Sequence, residues 1–282
     1  MLLKSCGLFK LRKLDEPRGF VVFLFAREGV CVFVAATTDC LPESSLDETI
    51  EKLAHLEFAN IEIAIRENGN HLKPSQVCND FEGVRDVCLS TQRLNVIGYS
   101  LDISEQGEDY FEVFTQCCRL AKATKVVSLT VEAGPHGTPF NEEVEKYKRL
   151  TKIAELHGVR VGMRSRVGNI SDDPDTVSVI CGHVEGLGLA LDPSHYLYGS
   201  DKEDNYDHLL GYVQHVYLRD STKDDLQVRV GQGVVEYGKL INCLRKHSFD
   251  RALCVDIQPS SEIDHDGELR KLRLLLESLL IV

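Results

Sequence analysis

The residues best suited to chemistry in this sequence follow short apolar runs. Asp192 and His195 stand in the motif Asp192-Pro-Ser-His195, directly after the apolar run 186–191. A carboxylate and an imidazole at this spacing can reach into one pocket, as they do in sites for hard metal ions and for acid–base catalysis. The structural alternative is that Asp192 caps the following turn while His195 lies on the surface.

Two further segments place polar residues inside apolar runs. Asp256 interrupts the run 252–257, where a buried carboxylate is destabilising unless a cation or a metal ion neutralises it. In segment 214–220, His215, Tyr217 and Arg219 stand two residues apart and therefore share one face of an extended strand. We expect one such face to point into the protein interior.

Three other apolar runs are followed by polar side chains that are suited to binding a substrate. Glu62 and Arg66 stand at the exit of the second run, and Glu132 and His136 at the exit of the fourth. Arginines at the exit of the fifth run can bind a phosphate or a carboxylate with two hydrogen bonds. The candidate substrate-binding residues are Glu62, His136, Arg164, Arg166 and Tyr217.

The elements that position these residues alternate between strand and helix from residue 31 onward. The predicted strands are 31–37, 60–65, 95–103, 126–133, 159–163, 186–191, 214–218 and 252–257. The predicted helices are 46–56, 74–91, 110–123, 141–157, 174–181, 205–212, 237–246 and 269–280.

Eight strand–helix units in about 250 residues predict an α/β fold, a single (β/α)8 TIM barrel over residues 31–282 with an N-terminal extension over residues 1–30. The rival is a doubly wound open sheet. It is disfavoured because the first strand is not followed by a glycine-rich phosphate loop, and Gly231-Gln-Gly233 follows no strand. We therefore expect no nucleotide cofactor, and a site at the carboxyl ends of the strands.

Ordered motifs in the second half of the chain carry a family resemblance. The segments LGLALDPSHYLYG, HVYLRD and VGQGVVEYGKLINCLRKHSFDRALCVDI resemble the xylose isomerase-like TIM-barrel superfamily over roughly residues 32–280. The superfamily holds sugar and sugar-phosphate isomerases and epimerases, together with AP endonucleases of the same fold. The resemblance implies one divalent cation (Mn, Mg or Zn), held by Glu, Asp, His and Glu on strands five to eight.

Carried over to this chain, the resemblance preserves only part of that ligand set. It assigns metal-ligand positions to Asp192 and Asp256, and a substrate contact to His195. The strand-five and strand-seven ligands fall on Arg164 and Tyr217. A guanidinium repels a divalent cation and a neutral phenol is a poor ligand, so we expect an altered, metal-free site in which Arg164 pairs with Asp256.

The implied function is that of a sugar or sugar-phosphate isomerase or epimerase, which transfers a proton next to a carbonyl group. Asp192, His195 and Asp256 are its candidate catalytic residues, and a small carbohydrate or sugar phosphate is the expected ligand. Two alternatives stay open. One is a non-catalytic barrel that binds a small molecule or a partner, and the other is a lyase or dehydratase variant.

The composition argues against a nucleic-acid-binding function. The 282 residues carry 44 acidic and 32 basic side chains, a formal net charge of −12, and no long stripe of lysine and arginine. Phosphate neutralisation needs clustered basic residues. The AP endonuclease activity also needs three zinc ions, and Tyr217, Asp225 and Gln227 stand where some of the zinc ligands are expected.

Cysteine usage and the N-terminal segment indicate the cellular setting. The ten cysteines are scattered and form no CxxC pair, which is typical of free thiols in a reducing cytoplasm. The apolar stretch 19–36 is interrupted by Arg27 and Glu28, and its first run is shorter than the roughly 20 residues of a membrane span.

Residues 1–30 are either an additional segment across the barrel floor or the result of a start codon placed too early. A homo-oligomer formed through the predicted helix 110–123 is compatible with the family.

Overall fold

The computed structural model describes residues 10–12, 24–26, 32–199, 206–261 and 263–281. The chain divides into two compact units, Met1–Cys31 and Val32–Val282. In the first unit, Lys10–Arg12 and Leu24–Ala26 pair as antiparallel strands. The other predictions for residues 1–30 lie outside the described residues, so the interpretation of this segment as an extension stays a prediction.

Eight parallel strands of the second unit close into a barrel in which the eighth strand pairs with the first. This confirms the predicted (β/α)8 fold. In chain order the strands are Phe33–Thr37, Asn60–Arg66, Asn95–Asp102, Ser128–Glu132, Arg160–Arg164, Leu187–Leu191, Val213–Leu218 and Ala252–Val255.

A helix follows each strand, and the longer helices cover the outside of the barrel, as the eight predicted units require. They are Leu46–His55, Pro74–Asn79, Phe81–Leu89, Gly107–Ala123, Phe140–Leu156, Pro174–His183, Ser194–Leu197, Tyr237–Lys246 and His265–Ile281. The main apolar core lies between these helices and the outward-facing strand residues. Within the described residues no helix combines the length and the apolarity needed to cross a bilayer.

Two predicted helices differ in the structure. The helix expected over 74–91 is divided at Asp80, whose non-helical backbone ends the first helix and whose carboxylate accepts the backbone N–H of Gly83 to cap the second. The helix expected over 205–212 is a 3-10 helix, Asp207–Tyr212, and residues 200–205 are not described.

The barrel interior has its own small cluster of side chains. Tyr217 is fully buried among Ala35, Ala190, Ala252 and Cys254. Because three of these four neighbours are alanines, they leave the volume that one large aromatic ring fills.

The loop after the seventh strand is organised by one buried carboxylate, that of Asp220, which is 1% exposed. It accepts four backbone N–H groups, those of Ser221 (3.1 Å), Gly231 (2.7 Å), Gly233 (3.0 Å) and Val235 (3.4 Å). A Cβ atom on Gly233 would overlap the Asp220 carboxylate and the Ser221 carbonyl oxygen. The GxG sequence at 231–233 thus serves loop folding.

Asp220→Ala should lower the free energy of unfolding by about 3 kcal/mol or more, because it leaves several buried N–H groups without a partner. Urea denaturation monitored by circular dichroism measures this change. Asp250→Ala, at an exposed position beside Arg251, is the matched control and should change the midpoint little. An Asp220→Ala midpoint equal to that of the control would contradict this role.

Candidate active site

A cavity of about 630 Å³ opens at the carboxyl ends of the barrel strands. This is where enzymes of this fold place their active sites. Charged and titratable side chains form much of its wall: Asp39, Arg66, Asp102, Arg164, Arg166, His195, Arg219 and Asp256.

Four buried charged side chains form a compact group at the floor of this cavity, which we call the charge cluster: Arg164, Asp192, Arg219 and Asp256. The Nη2 of Arg219 donates to Oδ2 of Asp192 at 2.9 Å and to Oδ2 of Asp256 at 2.7 Å. Arg164 donates to the same Asp256 oxygen. All four residues are at most 7% exposed, so two positive and two negative charges neutralise each other away from solvent.

The arginines determine the protonation state of Asp256. Burial by itself disfavours the carboxylate, but the guanidinium groups of Arg219 and Arg164 outweigh it and hold the pKa of Asp256 below its ordinary value. Gln258 adds a hydrogen bond from Nε2 to Oδ1 at 3.0 Å. Asp256 is therefore ionised at neutral pH and is a weak base.

Asp192 both caps the turn that follows it and takes part in the charge cluster. Its Oδ1 accepts the backbone N–H of Ser194 at 3.1 Å, as a cap does, while its Oδ2 faces Arg219. Ser165 Oγ accepts the backbone N–H of Asp192 at 2.7 Å and fixes the strand end.

His195 lies in the cavity wall and is 8% exposed, so the surface alternative for this residue is wrong. Its Nδ1 accepts the backbone N–H of Val167 at 3.1 Å, and its Nε2 lies 3.4 Å from Oδ2 of Asp192. Burial lowers the pKa of His195, with Asp192 acting in the opposite direction. The imidazole is thus neutral at pH 7, with its proton on Nε2, directed at Asp192.

Two further arginines lie in the cavity wall outside the charge cluster. The Nε of Arg66 donates to both carboxylate oxygens of Asp39, at 3.0 and 2.9 Å. The Nη1 of Arg166 donates to Oε1 of Glu132 at 2.9 Å, and its side chain is 52% exposed. Of the cavity arginines, Arg166 has the most exposed side chain, and that of Arg66 is 20% exposed.

Glu62 and Tyr217 lie in the barrel interior and do not line the cavity. Glu62 is the third residue of its strand and is fully buried, so the prediction that it stands at the strand exit is wrong. Arg66, four residues later, reaches the exit on the same face. The Tyr217 hydroxyl donates to Oε1 of Glu62 at 3.0 Å, and Arg164 packs 4.0 Å above the centroid of the Tyr217 ring.

His136 is not brought together with the other candidates. It is exposed, does not line the cavity, and its Nε2 lies 2.8 Å from Oδ2 of Asp172. The site residues that sequence reasoning did not select are Arg219 and Asp39. Period-two alternation placed Arg219 on the inward face with Tyr217, which was the available signal. Asp39 follows the first strand as the other exit residues follow theirs.

The model of the xylose isomerase-like TIM barrel family matches residues 50–278. The chain therefore belongs to the xylose isomerase-like TIM barrel family. No curated protein is significantly similar to the sequence.

Solved structures share this fold at low sequence identity. The probable 3-DHS dehydratase AsbF of Bacillus anthracis superposes with a TM-score of 0.67 at 17% identity, covering 87% of this chain and 98% of the other. An L-ribulose 3-epimerase has a TM-score of 0.67 at 15% identity, covering 88% and 94%. A family member from Mycobacterium smegmatis, in complex with magnesium, has a TM-score of 0.73 at 12% identity, covering 88% and 96%. At these identities the likeness shows the fold alone.

Arg164→Met and Asp256→Asn should each lower the free energy of unfolding by about 3–5 kcal/mol, because each leaves the buried charge cluster with one uncompensated charge. The double variant should lose less than the sum, with a coupling of about 1–3 kcal/mol. A double-mutant cycle by chemical denaturation measures this coupling. The exposed pair Arg149–Glu108 is the control and should show a much smaller coupling. Additive losses for Arg164 and Asp256 would contradict the charge cluster.

Proposed function

We propose that this chain binds a small anionic carbohydrate, a sugar phosphate or a sugar acid, at the strand-end cavity and without a divalent cation. The observation that carries the proposal is the position of the two arginines. Arg164 and Arg219 both donate to one oxygen of Asp256, and Arg219 also donates to Asp192. The two carboxylates that would bind a cation are thus already neutralised by protein.

The side chains at the four family ligand positions do not fit a divalent cation. They are Arg164, Asp192, Tyr217 and Asp256. Arg164 is a fixed positive charge with no acceptor, and Tyr217 is fully buried with its hydroxyl donating to Glu62. The charge cluster sums to zero, whereas Mg²⁺ and Mn²⁺ are held by sites of net negative charge and oxygen donors. A cation between Asp192 and Asp256 would have to displace Arg219.

Arg166 is the side chain best placed to bind the anionic group of a ligand. Its partner Glu132 forms only a half-exposed ion pair, which contributes little stability and can be exchanged for a ligand anion. A guanidinium binds phosphate or carboxylate through two parallel hydrogen bonds. One structural neighbour is named as an L-ribulose 3-epimerase, which supports a carbohydrate in the rest of the cavity.

A second candidate is proton transfer next to a carbonyl group, the isomerase or epimerase chemistry. His195 favours it because it lines the cavity, and the buried Asp192 lies 3.4 Å from its Nε2. Against it, the Nδ1 lone pair of His195 is taken by the Val167 N–H, and Asp192 is held by Arg219. Neither side chain is thus a free base, and binding is the better supported function.

The proposal also includes a reducing compartment such as the cytoplasm. Within the described residues the cysteines are free, and most of them are buried. Buried thiols that bind no metal behave as small apolar side chains.

Calorimetric titration with Mg²⁺ should give no binding heat for the wild-type chain, because the charge cluster offers no net negative charge. Arg164→Glu combined with Tyr217→His restores an acidic and an imidazole ligand and should create Mg²⁺ binding. Arg85→Glu, on the outer helix Phe81–Leu89, is the control for added negative charge and should bind none. Stoichiometric Mg²⁺ binding by the wild type would overturn the metal-free proposal.

Phosphorylated pentoses and hexoses should raise the melting temperature of the wild-type chain more than the corresponding free sugars do. Arg166→Ala should weaken this binding by about 10- to 100-fold, the loss of one charge-assisted contact. Arg85→Ala is the matched control and should leave it unchanged. Equal effects of phosphorylated and free sugars would count against an anion site.

The same ligands, incubated with the protein in D₂O and followed by NMR, separate the two candidate functions. No exchange of carbon-bound hydrogen is expected for a binding protein. Exchange that is lost in Asp192→Asn would establish proton transfer instead.

A further inference from the structure

We propose that Glu62, His215 and Cys254 form a second site, an internal zinc site inside the barrel, separate from the strand-end cavity. The ligand atoms of these three side chains, a carboxylate oxygen, a ring nitrogen and a sulfur, all lie within 4.8 Å of one another. Within the part of the chain that the structure describes, it is the one group of three such residues that meets this distance. We call it the inner triad.

The three residues converge because they face the barrel interior from three strands. Glu62 belongs to the second strand, His215 to the seventh and Cys254 to the eighth. Cys254 on the eighth strand pairs in register with Tyr217 on the seventh strand. Tyr217 in turn stands two residues after His215. Residues two apart on a strand share a face, so His215 and Tyr217 both point inward beside Cys254.

Two polar atoms of the inner triad are buried without a hydrogen-bond partner, Oε2 of Glu62 and Nε2 of His215. Both residues are at most 2% exposed, and Nε2 of His215 lies 3.5 Å from Oε1 of Glu62. A buried polar atom without a partner costs about 1–3 kcal/mol. A metal ion bound by both residues would satisfy both atoms at once.

The donor chemistry selects the metal. A thiolate, an imidazole and a carboxylate are a typical zinc ligand set, whereas Mg²⁺ and Ca²⁺ take oxygen ligands. Zn²⁺ with one thiolate, one carboxylate and one neutral imidazole is electrically neutral, which limits the cost of burying it. None of the three side chains lines the strand-end cavity, so an ion bound by them would not meet a ligand there.

The surroundings supply the outer hydrogen bonds that zinc ligands need. Tyr217 donates to Oε1 of Glu62 at 3.0 Å, and its hydroxyl lies 2.7 Å from Oγ1 of Thr130. The rings of His215 and Tyr217 pack edge to face at 4.6 Å, which fixes the plane of the imidazole. Tyr217 is thus a positioning residue for two of the three ligands.

The test uses Co²⁺, which occupies zinc sites and gives a thiolate-to-metal charge-transfer absorption when it binds cysteine. Because the inner triad is buried, the full chain is unfolded in chelator and refolded with Co²⁺. We expect stoichiometric cobalt, the charge-transfer band, displacement by Zn²⁺, and a higher melting temperature than that of the metal-free chain.

Variants locate the metal. Cys254→Ser should abolish the band, whereas Cys181→Ser, a buried cysteine in the outer helix Pro174–His183, should keep it. Asp192→Asn should also keep it, since Asp192 belongs to the strand-end site. Tyr217→Phe should weaken Co²⁺ affinity by about 10- to 100-fold, the usual effect of losing an outer hydrogen bond.

Two results would overturn the proposal. One is a refolded wild-type chain that takes up no cobalt. This result does not depend on the folding of any variant. The other is a charge-transfer band that persists in Cys254→Ser or disappears in Cys181→Ser. If Cys254→Ser does not fold, Glu62→Gln replaces it, and unchanged Co²⁺ affinity in that variant would equally overturn the site.

Discussion

Arg219 joins the carboxylates of Asp192 and Asp256 across the carboxyl end of the barrel, and Arg164 adds a second positive charge to Asp256. Four charged groups are stable at this depth only because they neutralise one another. This constraint keeps Asp256 ionised and directs both arginines inward. The four charges sum to zero, and Arg66 and Arg166 lie in the cavity wall outside this group.

The barrel interior is arranged in layers that support this pairing. Tyr217 fills the space between small side chains, and Arg164 packs against its ring. On its other side the Tyr217 hydroxyl binds Glu62, next to His215 and Cys254. One aromatic residue therefore connects the strand-end cavity to the inner triad, so a change at position 217 should affect both layers.

The sequence predicted the architecture well because alternating strand and helix patterns are local and repeat eight times. It also placed Asp192, Asp256 and Arg164 at strand ends and anticipated the Arg164–Asp256 pair. It did not identify Arg219 as the residue that joins Asp192 and Asp256. The alternation along a strand predicts which way a side chain points, but not which partner a long side chain reaches. Glu62 and His136 were misplaced for a related reason. The position of a residue relative to the end of a strand in the sequence does not show how deep its side chain lies in the barrel. Nor does it show whether a loop side chain reaches the cavity.

The central claim is that arginine occupies the place of a metal ion between Asp192 and Asp256. Crystals grown with Mn²⁺ and measured near the manganese absorption edge would test it directly, because anomalous scattering locates the ion without assumptions about function. The account predicts no manganese between Asp192 and Asp256, with Arg219 bridging the two carboxylates. A manganese peak coordinated by both carboxylates, with Arg219 displaced, would contradict it.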